Sequence, residues 1–536
     1  MQPSHLLERI ERLNEIGIAL SAEKDLDRLL ELVLEGAKTV TGADGGTLYL
    51  REDNQTIRMA VVRTDSLDFA MGGTTGEPVA FSAFPLYDDE GTPNNGTVVT
   101  HAVHHRQTVN IADVYDADGF DFSGPREFDQ KTGYRSRSFL TVPMEDHEGE
   151  VIGVLQLINA LDPDSGEVIP FDRDRQRLAE SLASQAAVAL TNRHLLDDLR
   201  RLFDAFIQLI ASAIDEKSPY TGGHCRRVPV LTMMLADAAH AADSGPFRDF
   251  SLDSDERYQL EVAAWLHDCG KITTPEHVVD KSTKLEALHD RIHEVDTRFA
   301  VRRQQAEAAA LRRRLAELGE PDFDPAADPR YRQEIEALTA ERDFVHRCNE
   351  GGEAMSEADR EELAALAGRC WLDSDGRERP QLTDEELYNL GIGRGTLTPE
   401  ERQVINNHVS LTIQMLEALP FPKHLRRVPE YAGGHHERMD GKGYPRGLCG
   451  EEMPIPARIM AIADVFEALT AKDRPYKPGR SVSAAVAILR RMGEEGHLDP
   501  DLLQLFIEQG LHYRYGREYL DPEQLDVEPE ERAARA

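Results

Sequence analysis

The sequence predicts a multidomain chain: an α+β N-terminal third, a long connecting helix, and a helix-rich C-terminal half carrying a helical hairpin. Three observations predict it. At 536 residues the chain exceeds what one hydrophobic core organises, so two or three domains are expected. The first third mixes strand-like alternation with turn-rich stretches, whereas residues 171–214 contain neither Gly nor Pro. Beyond that point apolar residues recur at helical spacing around scattered histidines and aspartates.

Taken in order, Leu6, Leu7, Ile10, Leu13, Ile16 and Leu20 give an amphipathic first helix. Asp25 precedes a second helix over 26–40, with Leu29, Leu30 and Val33 on one face. The period then becomes strand-like at 46–50 and 57–62, and 65–98 reads as loops. Strands at 138–144 and 151–158 flank an acidic turn, which gives an antiparallel sheet with helices packed on it. This strand pair, with the segment 108–115, resembles a GAF domain over about 20–190. The resemblance implies a sensor for a small molecule. Of the cyclic-nucleotide-binding signature, Asn159 and Phe171 fit. Ala160 replaces its Lys and Arg175-Gln176 its Asp-Glu, which argues against such a ligand and leaves the ligand unidentified.

Along 171–214, Leu178, Leu182, Gln185, Ala189, Asn192, Leu196, Leu199, Phe203, Phe206 and Ile210 follow steps of four and three. That is a heptad seam with polar interruptions at Gln185 and Asn192. A helix of about 65 Å exceeds what one domain covers. A parallel homodimer is expected, coupling sensor to output.

Composition sets limits. Hydrophobic content of 40% and charged content of 29% describe a soluble globular protein. No apolar run is long enough for a transmembrane helix, and the N-terminus lacks a signal-peptide pattern. No membrane and a cytoplasmic location are expected. The cysteines form no CxxC pair, which excludes a disulfide framework and a zinc ribbon. A net charge of −36 disfavours nucleic acid but permits a small anion in a local basic pocket.

The C-terminal half holds the chemistry. His435 and His436 are adjacent, ahead of a glycine-rich turn. Paired imidazoles repel when protonated, and a divalent metal resolves the conflict; the plain alternative is a surface pair in a loop. This pair is not isolated. His224, His267-Asp268, His408 and Asp464 stand at the ends or apolar faces of helices, where an unpaired carboxylate is costly. Nitrogen and oxygen donors without thiolate suit iron or manganese, with zinc and nickel also accommodated.

The motifs Tyr220-Thr-Gly-Gly-His224, His267-Asp268-x-Gly-Lys271, His408, His435-His436-Glu437-x-x-Asp440-Gly-x-Gly443-Tyr444-Pro445, Asp464 and Asp473-Arg474-Pro-Tyr-Lys477 closely resemble the HD-GYP subgroup of HD phosphohydrolases. The resemblance implies an all-α bundle and metal-dependent hydrolysis of cyclic di-GMP to pGpG, with GMP the alternative end product. It implies His224, His267, Asp268, His408, His435, His436 and Asp464 as metal ligands. Asp268, as the bridge, and Lys271 are the catalytic pair. Lys271, Gly443, Tyr444, Pro445, Arg474 and Lys477 are implied to contact substrate, and the Gly-Tyr-Pro turn to meet a GGDEF-domain partner. Tyr220 stands where some members carry a third-metal Glu, so two metal ions are expected. Another substrate, cyclic GMP-AMP, and a non-catalytic receptor are the alternatives.

The expected boundaries are 1–170 for the sensor, 171–214 for the connecting helix, 215–285 and 395–515 for the two parts of the bundle, 286–394 for an insertion, and 516–536 for an acidic tail, disordered over 521–536. Within the insertion, helices are expected over 286–318, 331–348 and 356–370, the last capped by Ser356 with Asp359. It reads as a solvated appendage or as a lid at the rim of the site.

Overall fold

A computed structural model describes residues 3–52, 54–217, 222–319, 323–351, 354–472 and 479–526. The chain forms two compact units, 1–203 and 204–536.

In the first unit, helices α1 (Pro3–Ala22) and α2 (Leu26–Thr41) precede the sheet. Asp25 caps α2 by accepting from the Arg28 amide, and Gly42 closes it in the left-handed conformation. The strands are β1 (Ala43–Arg51), β2 (Thr56–Thr64), β3 (Phe69–Gly72), β4 (Phe84–Pro85), β5 (Val109–Ile111), β6 (Phe139–Glu145), β7 (Val151–Leu161) and β8 (Val168–Ile169). Helices α3 (Val98–His105) and α4 (Ser123–Thr132) flank β5. The antiparallel order is β3-β2-β1-β7-β6-β5, with β4 on β2 and β8 on β7. Period-two alternation gives the sheet two apolar faces. Leu48, Leu140, Val142, Leu155 and Leu157 pack with α2 and the start of helix α5 (Arg173–Lys217). Tyr49, Ile57 and Val154 turn the other way, onto Leu86, Val99 and Val103. The short strands β3, β4, β5 and β8 carry too few residues for alternation to reveal them.

Helix α5 corrects the predicted seam. Leu178 and Leu182 are buried in the sheet core, not in an open stripe. Farther along, Leu195, Leu199, Leu202, Phe206 and Leu209 are exposed at steps of four and three, flanked by Leu196 and Ile210. The early turns are spent on the helix's own sheet, and the 3.6-residue period carries the stripe to a neighbouring face.

In the second unit the helices are α6 (His224–His240), α7 (Ser254–Leu266), α8 (Glu276–Val279), α9 (Ile292–Leu318), α10 (Pro329–Asn349), α11 (Glu357–Ala367), α12 (Asp384–Leu390), α13 (Pro399–Glu417), α14 (Val428–Gly433), α15 (Ile455–Thr470), α16 (Val482–Glu494), α17 (Pro500–Glu508) and α18 (Leu511–Tyr519). The bundle packs α6 on α15, α7 on α14, and α13 on the 3-10 turn Cys269–Thr273. Its helix starts are written locally: Asp253 and Glu256 form a capping box for α7, and Thr398 and Glu401 one for α13.

The insertion is α9 to α12 with a two-stranded ribbon, Cys370–Leu372 with Glu378–Pro380, that the sequence did not announce. Helices α9 and α10 run antiparallel, with Asp296 on Arg342 and His346, Arg302 on Glu341, and Arg313 on Asp328. The first helix starts at Ile292, later than expected, because 286–291 form a tight turn closed by the Glu286–Asp290 bridge. Ser356 and Asp359 make the expected capping box. The insertion is no loose appendage: Val295, Phe299, Leu338, Phe344, Val345 and Leu363 belong to a core of its own. Its two chain ends meet at Lys281. The Thr396 hydroxyl donates to the Lys281 carbonyl at 2.9 Å. The Lys281 ammonium joins Asn389 at 3.1 Å and Glu401 at 2.8 Å.

The disorder expected from 521 onward is corrected over 521–526, and the acidic tail expected from 516 begins inside a helix. Helix α18 continues to Tyr519, and Gln524 donates to the Thr470 and Arg480 carbonyls at 2.9 Å. Residues 527–536 lie outside the described residues.

Candidate metal centre

His267 ends α7 as its C-terminal cap, and Asp268 turns the chain into the 3-10 helix Cys269–Thr273. That turn sits against α13 because residue 270 is Gly. A Cβ there would lie 2.0 Å from the His408 carbonyl oxygen. The Gly270 amide instead donates to Thr412 at 2.9 Å. His224 opens α6, His408 lies inside α13, and His435 and His436 follow α14. Asp464 sits on α15 in an otherwise apolar run.

These residues converge in two groups: His224, His267 and Asp268; and His408, His435 and His436. The candidate ligand atoms within each group all lie within 4.8 Å of one another. Asp268 joins the groups through its two oxygens. Oδ2 is 3.3 Å from both His224 Nε2 and His267 Nε2. Oδ1 is 3.2 Å from His408 Nε2 and 4.0 Å from His435 Nε2. Asp464 Oδ1 is 3.2 Å from His224 Nε2 and 4.0 Å from His267 Nε2.

The imidazoles are oriented from behind. Nδ1 of His267 bonds to the Ala264 carbonyl at 2.7 Å. Nδ1 of His408 and of His435 bond to the Ile405 and Ala432 carbonyls at 2.6 Å. A carbonyl only accepts, so Nδ1 carries the proton and the Nε2 lone pair faces the centre. Nε2 of His267, His408 and His435, with Asp268 Oδ1, are buried and have no hydrogen-bond partner among the described residues. Four buried donor atoms turned onto one space fit a cation, since leaving them unmatched is costly.

Electrostatics agree. Burial would raise the Asp268 carboxyl, yet the Lys271 ammonium and the His267 and His224 rings hold it well below the usual carboxylate range. Asp464 is likewise held down against burial, by His224 above all. Burial pushes His435 well below the usual imidazole value, and His436 to about 4. His435 and His436 are thereby neutral and ligand-ready, whereas burial disfavours a charged His224 but Glu467, Asp268 and Asp464 raise it well above the usual imidazole value.

Lys271 lies 2.6 Å from Asp268 Oδ2 and lines a small cleft with Lys217, His224, Glu276 and Val279. On the other side Tyr444 stacks on His436, centroids 4.9 Å apart. Glu437 holds that turn by accepting from the Arg446 and Leu448 amides at 2.7 and 2.9 Å. Gly443 is required there, because a Cβ would meet Glu437 Cα at 2.5 Å. The structure thus brings together His224, His267, Asp268, Lys271, His408, His435, His436 and Asp464, with Gly443, Tyr444 and Pro445 beside them. Tyr220, Arg474 and Lys477 lie outside the described residues.

Sequence reasoning missed Glu467 and Arg227. Glu467 is buried beside His224 Nδ1, and Arg227 Nε donates to its Oε1 at 2.6 Å. The available sign was a second carboxylate one helical turn after Asp464.

Residues 25–190 match the GAF domain family, and residues 221–341 and 384–502 match HD domain families. A Vibrio cholerae protein named 3′3′-cGAMP-specific phosphodiesterase 1 is 45% identical over 86 residues, 16% of this chain and 20% of that protein. A probable cyclic di-GMP phosphodiesterase of the same organism is 38% identical over 124 residues, 22% of this chain and 28% of that one. A cyclic di-GMP phosphodiesterase of Thermotoga maritima is 35% identical over 114 residues, 21% of this chain and 30% of that one. The chain therefore spans under a third of the length of these relatives. Among solved structures, a GAF domain from Coxiella burnetii aligns over 36% of this chain and 98% of its own, at 15% identity and a TM-score of 0.28. Among the described residues no helix is long and apolar enough to cross a membrane.

Proposed function

We propose that this chain, which joins a GAF domain to an HD domain with HD-GYP motifs, is a metal-dependent phosphodiesterase that hydrolyses cyclic di-GMP to pGpG, with GMP the alternative end product, under control of a small molecule held by the GAF domain. The observation that carries the reading is the convergence of buried Nε2 atoms and Asp268 Oδ1 that have no hydrogen-bond partner among the described residues. A non-catalytic receptor has no use for such a set.

Two divalent ions would fill the centre. His224, His267 and Asp464 would hold one, and His408, His435 and His436 the other, with Asp268 giving one oxygen to each. Iron or manganese suits this donor set best. When bound, the pair supplies Lewis-acid activation of water and of the phosphate. The chain's own groups do the rest. The Nδ1 hydrogen bonds keep each Nε2 lone pair aimed at the centre. Asp268 keeps both groups in one register. Lys271 stays cationic, since Asp268 and Asp464 outweigh the cost of its burial. It reaches the cleft and offsets the negative charge that grows on the leaving 3′-oxygen. Tyr444 forms a wall for the base, and Arg474 and Lys477 supply further positive charge for the substrate. The exposed α5 stripe supports a homodimer, and the Gly-Tyr-Pro turn a GGDEF-domain partner.

The relative named for 3′3′-cGAMP carries a second reading of the substrate. The test is anaerobic purification with Fe or Mn, metal counting, and product analysis on cyclic di-GMP and 3′3′-cGAMP. Two metals per chain and pGpG release are expected, with turnover lost in the double variant His267→Ala, Asp268→Ala. Activity persisting in that variant, free of metal, sinks the assignment.

A further inference from the structure

Three of the ring orientations are set from within a helix or turn: His267, His408 and His435 each give Nδ1 to the carbonyl three residues back. His224 cannot do this. It is the first residue of α6, so no earlier turn of that helix lies behind it. A carboxylate from another helix takes the carbonyl's place. Glu467 of α15 accepts from His224 Nδ1, and its second oxygen takes Arg227 Nε at 2.6 Å. Arg227 also donates to the Gly222 carbonyl at 3.1 Å. Glu467 is 1% exposed, so it cannot be a loosely solvated surface acid. A buried carboxylate needs a fixed countercharge, and Arg227, one turn along α6, supplies it.

We propose that Glu467 and Arg227 are positioning residues for the ion held on the His224 side of the centre. Glu467 fixes the tautomer and ring orientation of His224, and Arg227 holds Glu467 in place. The inference rests on the metal-dependent reading above. A carboxylate is a stronger acceptor than a carbonyl, so His224 becomes a better donor than its three counterparts. The arrangement also ties α6 to α15 at the one ligand that α6 contributes.

The asymmetry gives a selective test. The full chain, stripped with chelator, is titrated with Mn²⁺ while free Mn²⁺ is followed by electron paramagnetic resonance. The wild type is expected to bind two ions. In Glu467→Gln, an isosteric change, the amide can present a donor to Nδ1 and no longer enforces the tautomer. One ion should bind about 10- to 100-fold more weakly, while the ion on His408, His435 and His436 keeps its affinity. Arg227→Gln should weaken the same ion by a smaller factor. Circular dichroism normalises each titration to folded protein, and if Glu467→Gln does not fold, Arg227→Gln carries the test. Two ions at wild-type affinity in the folded variant, or an equal loss at both sites, would overturn the inference. A wild-type chain that binds no Mn²⁺ overturns the metal reading itself, and the inference with it.

Discussion

The Asp268 carboxylate reaches both histidine groups with its two oxygens, and the residues around it hold it there. Gly270 is the most constrained of them. Gly270→Ala forces a methyl against the His408 carbonyl and should cost about 1–3 kcal/mol, with loss of metal binding, read by denaturant unfolding and metal counting. The paired histidines give a pH signature. Burial lowers both His435 and His436, so the folded, metal-free chain binds fewer protons than the unfolded chain from about pH 6.5 down to their folded values. The stability they contribute is complete above pH 6.5 and is lost as pH falls through that window. His224 works with opposite sign. Burial opposes its protonation, but Glu467 and the other carboxylates raise its value, so its contribution is full at low pH and lost as pH rises. The acid-side fall in thermal stability between pH 6.5 and 4 should therefore shrink in His436→Gln; an unchanged pH profile counts against this account. At this scale the site was largely legible. Histidine and aspartate next to Gly and Lys are unusual residues in unusual company. Glu467 was not, because an acid on a helix reads as ordinary until the helix is seen to be buried all round.

Elements show where sequence periodicity deceives. The heptad steps along α5 were real, but a helix that first packs on its own sheet spends its early apolar residues there. The stripe left over, Leu195, Leu199 and Leu202, is the part able to meet a second copy, and Asn192 lies on the same spacing. The double substitution Leu199→Glu, Leu202→Glu should yield a monomer by light scattering after gel filtration, with the buried sheet core untouched. A dimer surviving both charges argues against this stripe as the contact. Long helices and the long strands β1, β2, β6 and β7 were legible, since each repeats its period several times. Two- and three-residue strands were not, because their pairing is decided by neighbours distant in sequence.

For the whole molecule, the domain order was readable from periodicity and motifs, but the insertion's character was not. Its apolar residues, spread thinly over charged helices, hid a core that only the antiparallel pairing assembles. Lys281 is the link between that core and the helix bearing His408. Its side chain is 1% exposed, and Lys281→Ala leaves Glu401 without its cation, with an expected cost of about 3 kcal/mol in unfolding experiments. Replacing 286–394 by a short Gly-Ser linker should leave both metal groups able to bind, as measured by metal content. A lid would show itself as a change in KM with the metal count unchanged.

The meeting of the insertion's two ends at Lys281 also bears on how the bundle is reached from the unfolded chain. The halves carrying His267 and His408 are separated by a loop of about 110 residues, whose closure costs about 4 kcal/mol of chain entropy when the loop is flexible. An insertion that folds first, around its own core, turns that loop into a rigid clip with adjacent ends. Phe299→Ala, in that core, should therefore slow refolding of the distant bundle, although Phe299 touches none of its ligands.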